Sequence, residues 1–168
     1  MLRIMKAENG MHLMGQGAKI LIFTAPAAAG AGALHLLRPD LAALPTAAAA
    51  FAVAGYPLLA LGVGLWLTAL VQLLHGFPKG ELVTGGAYGV CRNPIYASVA
   101  IFMLPGIALL SQTWVYAVVS LALLTGVAVF IGKEERELQA VFGARYAEYT
   151  RSVHRIVPLL AKVMPKRD

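Results

Sequence analysis

Two acids stand side by side, Glu134 and Glu135, within Lys133-Glu134-Glu135-Arg136-Glu137-Leu138, directly after a long apolar run. Acids are unusual at such a place, because the C-terminal end of a helix carries a partial negative charge that repels anions. The helix is therefore expected to continue past the apolar run, with Leu138, Val141 and Phe142 recurring at helical spacing as an amphipathic face. Neighbours on an α-helix point about 100° apart. Glu134 and Glu135 thus cannot meet at one point, but they can touch two parts of one ligand. The plainer reading is a solvated cluster with local Glu–Arg pairing.

A second segment with chemical potential is Gly85-Gly86-Ala87-Tyr88-Gly89-Val90-Cys91-Arg92-Asn93-Pro94-Ile95-Tyr96. Asn93-Pro94 is a helix start: Asn caps free N–H groups and Pro suits the first helical position. A helix start favours an anion, and Arg92 beside it adds a fixed positive charge, so a carboxylate can dock there. Read alone, Arg92 is more simply an interface residue with its head turned to water. The glycines allow close backbone approach to a ligand, or only a turn. A third segment is Phe142-Gly143-Ala144-Arg145-Tyr146-Ala147-Glu148-Tyr149. Gly143 is expected to end one helix in a left-handed cap. Tyr146 and Tyr149 share a face of the next helix and suit an interfacial anchor. No His or Cys set has metal-ligand spacing, so no metal site is expected. His35, His75 and His154 read as structural, as does the lone Cys91.

The elements that position these residues are apolar helices. The chain has 168 residues, of which 59% are hydrophobic and 13% charged. A soluble domain carries about 25% charged residues, so composition places this chain in a membrane. The expected fold is all-α: one membrane domain over 1–168 with spans near 19–37, 46–74, 94–110 and 114–132, each close to the roughly 20 residues a bilayer requires. Pro57 is expected to kink the second. Residues 1–17 are polar and mixed, and no cleavable leader is expected. Of the 14 Lys and Arg residues, 13 fall on the side of both termini and only Arg38 on the other. That asymmetry predicts cytoplasmic N- and C-termini, with the polar segments 75–93 and 133–158 on the same face.

The three segments, in this order, resemble the isoprenylcysteine carboxyl methyltransferase and phospholipid methyltransferase superfamily. Its pattern, G-x-Y-x-x-x-R-(H or N)-P-x-Y, is carried by Gly86, Tyr88, Arg92, Asn93, Pro94 and Tyr96. A second pattern, E-E-x-x-L-x-x-x-F-G-x-x-Y-x-x-Y, is carried by Glu134, Glu135, Leu138, Phe142, Gly143, Tyr146 and Tyr149, followed by Val153, Arg155 and Pro158. The resemblance implies transfer of a methyl group from S-adenosylmethionine to a hydrophobic or lipid-like acceptor at the cytoplasmic face. It implies cofactor contacts from Gly86, Tyr88, Arg92, Asn93, Glu134 and Glu135. Arg92 would hold the cofactor carboxylate, Glu134 its ammonium group, and Glu135 the ribose or a substrate-side partner. Arg92, Tyr96, Glu135 and Arg155 are the catalytic candidates, with Tyr146 also able to orient the acceptor. The chain departs from the family in having Asn93 where many members have His. It also lacks the extra spans and aromatic-rich region of animal prenylcysteine enzymes, so a prenylated protein is not the expected acceptor. The rival readings are a nicotinamide-dependent membrane reductase and a non-enzymatic scaffold.

Overall fold

The computed structural model describes residues 16–158. Arg3, Lys6, Lys162, Lys166 and Arg167, five of the residues behind the charge asymmetry, lie outside them. The described chain is helical: α1 Gly17–Leu37, α2 Pro39–Ala42, α3 Gly55–Gly76, α4 Ala87–Val90, α5 Pro94–Ala97, α6 Leu104–Leu110, α7 Val115–Phe142 and α8 Ala144–Ser152. A 3-10 stretch, Thr46–Ala54, leads into α3, and a π-turn, Ser98–Met103, joins α5 to α6. The only extended pairing among the described residues is an isolated bridge between Ala43 and Thr113.

Among the described residues three helices are long and apolar enough to cross a membrane: Gly17–Leu37, Ala50–Lys79 and Val115–Phe142. Pro94–Leu110, the narrowest of the four expected spans, is a shorter apolar helix. The second span ends at Lys79 rather than at residue 74, because the apolar run carries on through Phe77 into a 3-10 turn. Pro57 falls in the first turn of α3, just after the 3-10 stretch gives way to α-helix. The fourth span runs on unbroken through the acids, as expected. Its 28 residues make about 42 Å of helix, more than the roughly 30 Å of hydrocarbon in a bilayer.

α7 is the central element. Leu123, Val127 and Ile131 are buried along it and, with Ile20 and Ala100, form a core, while Val115 and Val119 pack with Ala31 and Ala42 in a second cluster. α1 packs closely along α7, where a Cβ on Gly126 would stand 3.1 Å from the Phe23 ring. Gly55, Gly62, Ala69 and Gly76 of α3 are buried and seven residues apart; the first two lie against Pro94–Leu110 and Gly76 against Val83. A Cβ on Gly62 would come within 2.6 Å of Met103. Close approach of this kind is how helices gain contact in lipid, where burial of apolar area offers no advantage. Outward-facing Leu36, Phe51, Leu61, Leu121 and Val129 remain exposed, as lipid-facing side chains do. At one end of the bundle, Trp114 Nε1–H donates to Leu41 O at 2.9 Å and Leu44 N–H to Gln112 O at 2.8 Å. The start of α1, the end of α3, the 77–93 connection and the end of α7 meet at the other end, around a cavity.

Candidate functional site

The wall of this cavity begins with a one-turn helix. Gly86 precedes α4 with φ 58° and ψ −124°, the first central conformation of a type II′ turn, which glycine adopts without strain. Gln72 of α3 reaches up to this turn, and its Oε1 accepts the Ala87 N–H at 3.0 Å. A Cβ on Gly86 would lie 2.0 Å from Gln72 Nε2. Gly143 repeats the same backbone, φ 54° and ψ −125°, ahead of α8. Its φ is positive as expected, but its ψ is that of a II′ turn and not of a left-handed helical cap. The turn folds α8 back, and Tyr149 Oη donates to the Tyr88 carbonyl at 2.6 Å. Tyr146 and Tyr149 are buried edge to face, with ring centroids 6.1 Å apart. They are core residues of the site, not surface anchors.

Arg92 and Glu135 are each only 14% exposed, and Arg92 Nη2 stands 3.2 Å from Glu135 Oε1. Arg155 grips the same carboxylate from the outer side, with Nε at 3.1 Å from Oε1 and Nη2 at 2.5 Å from Oε2. Arg92 is therefore an inward, paired cation rather than an interface residue. Its Nε is buried and has no hydrogen-bond partner among the described residues. The backbone after α8 is laced to this strand of residues: Arg92 N–H donates to His154 O at 2.8 Å, and Asn93 Nδ2 to Arg155 O at 2.9 Å. Asn93 precedes α5 as expected, but its side chain makes no cap. It is occupied by Arg155 instead.

Glu134 turns the other way, toward α1. Its Oε2 accepts the Gln16 N–H at 3.4 Å, its one hydrogen bond among the described residues. Tyr96 rises beside it, with its hydroxyl against Gly17. The phenols of Tyr88 and Tyr146 are both pushed up, first by burial and then by nearby glutamate charge. Tyr146 reaches about 12, with Arg92 opposing the rise. Both remain protonated hydrogen-bond donors at neutral pH.

The cavity enclosed by these groups has a volume of about 490 Å³, within the roughly 300–1,000 Å³ of small-ligand sites. Of the candidates, Tyr88, Arg92, Asn93, Tyr96, Glu134 and Glu135 line it together. Gly86 and Arg155 are not among its lining residues: the first shapes the turn against Gln72, and the second holds Glu135 from behind. The rest of the wall is mostly apolar and includes Leu21, Trp66, Leu73, Val99 and Leu123. Leu123 and Glu134 are eleven residues apart on α7, or about 16 Å along the helix. Sequence reasoning missed Gln16, Gly17, Trp66 and Gln72. Of these, only Gln72 carried a signal, as a polar residue near the end of a continuous apolar helix.

A family model described as phospholipid methyltransferase matches residues 50–145, more than half of the chain. The match takes in α3, the 77–93 connection and all of α7, and leaves out α1 and Arg155. No curated protein and no solved structure matches the chain.

Proposed function

The chain belongs to the phospholipid methyltransferase family, and on that premise we propose that it transfers a methyl group from S-adenosylmethionine to an apolar, lipid-like acceptor at the cytoplasmic face of the membrane. The observation that carries this reading is Glu134: a sparsely bonded acid in the wall of a cavity whose remaining lining is largely apolar. A carboxylate in such surroundings calls for a cationic partner. The bound cofactor would supply a methyl group already activated on a sulfonium, open to in-line displacement by the acceptor. The donor set fits such a ligand. Glu134 would pair with its ammonium group, and Arg92, which lines the same cavity, with its carboxylate. Tyr88 and Asn93 border the same region.

The roles of the paired acids then divide. Glu135 has both oxygens engaged by arginines, so it positions Arg92 instead of contacting ribose. Arg155 locks Glu135 in turn. Gly86 acts through the turn that places Tyr88. Tyr96 and Tyr146 orient the acceptor's reactive end, while the apolar reach toward Leu123 and Trp66 takes its tail and excludes water. Alignment of this kind is the main contribution a protein makes to a displacement on an activated electrophile. The 13 basic residues assigned to the side of both termini support the cytoplasmic orientation.

Calorimetric titration of the purified full chain with S-adenosylhomocysteine tests the reading, run beside a reduced nicotinamide and the Glu134→Gln variant. The parent is expected to bind S-adenosylhomocysteine saturably. Loss of a charge-assisted hydrogen bond, about 1.5–3 kcal/mol, predicts weakening by roughly 10- to 150-fold in the variant. Binding of the nicotinamide alone would establish the reductase reading, and binding of neither would support a scaffold.

A further inference from the structure

The matched family segment begins at residue 50, yet the cavity is incomplete without α1, which lies before it. Gln16 and Gly17 sit where α1 enters the site. Gln16 is buried and its N–H holds Glu134 Oε2 at 3.4 Å. The next residue is glycine, and a Cβ there would stand 2.9 Å from Tyr96 Oη. Leu21, one turn further, lines the cavity. The same short turn thus touches both the acid and the phenol that the proposed reaction employs.

We propose that Gly17 is a positioning residue: its missing side chain lets the first turn of α1 seat against the Tyr96 hydroxyl, and this seating keeps the Gln16 N–H on Glu134. The inference rests on the methyltransferase reading and extends the site beyond the segment that defines the family. The glycine is not explained by helix formation. Gly17 is helical, and alanine is the better helix former by about 1 kcal/mol. Nor does the backbone require it, since its φ is not positive. The space beside Tyr96 is what alanine would take away. A methyl group at 2.9 Å from the oxygen must push the turn and the phenol apart by a few tenths of an ångström. The Gln16 N–H, already at 3.4 Å, is then drawn out of hydrogen-bond range of Glu134.

The test is a double-variant cycle on the full chain, with S-adenosylhomocysteine affinity by calorimetry and thermal midpoint as paired readouts. Gly17→Ala is expected to weaken S-adenosylhomocysteine about five-fold, the scale of one ordinary hydrogen bond lost at Glu134. Its thermal midpoint should be no lower than the parent's. Tyr96→Phe removes the oxygen that the new methyl group meets. In that background, Gly17→Ala should have no further effect on affinity. An equal loss from Gly17→Ala with and without the Tyr96 hydroxyl would overturn the proposal, and so would unchanged affinity in the single variant. A lowered midpoint that tracks the lost affinity would reduce Gly17 to a packing residue. If the parent chain itself fails to bind S-adenosylhomocysteine, the methyltransferase reading falls, and this inference with it.

Discussion

Replacing Glu135 by glutamine removes one negative charge while keeping the shape of the side chain. In the native site the carboxylate sits between two guanidinium groups, Arg92 at 3.2 Å and Arg155 with contacts at 3.1 and 2.5 Å. The glutamine amide retains one acceptor and turns an NH₂ donor toward a guanidinium. Arg92 is then left only 14% exposed, with its Nε already unpartnered. Breaking a fully buried ion pair from one side costs about 3–5 kcal/mol. Here Arg92 and Glu135 keep some solvent, and Arg155 at 45% exposure contributes as a surface pair, about 0.2–1 kcal/mol. The expected loss is therefore about 2–3 kcal/mol, a large share of a typical stability of roughly 5–15 kcal/mol. Reversible unfolding in mixed micelles measures it. Arg92→Gln combined with Glu135→Gln should cost at least about 1 kcal/mol less than the sum of the single changes, because the second removal deletes the stranded charge. Glu135→Gln should also weaken S-adenosylhomocysteine, through a misplaced Arg92. A change within about 0.5 kcal/mol of the parent, the range of ordinary surface substitutions, or strict additivity in the double variant, would refute the positioning role.

Other consequences follow from the same geometry. Glu134→Gln should lose ligand affinity without losing stability in the ligand-free protein, since it removes a buried charge with a single long hydrogen bond; the same unfolding assay checks this. Cys91 is fully buried and its thiol is pushed up to about 11 from 9.0, chiefly by burial. Iodoacetamide should label it very slowly at pH 8 in the folded protein and readily after unfolding. The folded state holds this proton more tightly, so the contribution of Cys91 to stability should fall as pH rises from about 9 to about 11. Gly143→Ala places a side chain at φ 54° with no atom within 4 Å of the new Cβ, so its cost is backbone strain alone, about 1–3 kcal/mol, read as a lower unfolding midpoint.

The linear order of the chain was enough for the all-helical membrane architecture, because span length and charge content are local properties set by the thickness and polarity of the bilayer. The extension of α7 past the membrane was also legible, since three acids within four residues cannot lie in hydrocarbon. The candidate residues Tyr88, Arg92, Asn93, Tyr96, Glu134 and Glu135 were named from types and spacing, and they do converge on one cavity. The small-residue repeat of Gly55, Gly62, Ala69 and Gly76 was written in the sequence too, as a seven-residue period, but a composition so rich in glycine and alanine hides it.

The partners of those residues were another matter. Glu134 and Glu135 are adjacent in sequence and indistinguishable by type, yet one faces the start of α1 and the other two arginines. Asn93 looked like a helix cap and instead holds the backbone of Arg155. Tyr146 and Tyr149 looked like interface anchors and are core. Gly17 carried no signal at all. Each of these outcomes depends on groups brought together from distant parts of the chain: 118 residues separate Gln16 from Glu134, and 62 separate Asn93 from Arg155. Hydropathy and helical period depend on near neighbours and on the solvent, so the sequence by itself determined the elements and the chemical candidates. Hydrogen bonds and ion pairs depend on which elements pack together, so the tertiary structure alone decided which acid is held between two arginines and which faces the start of α1.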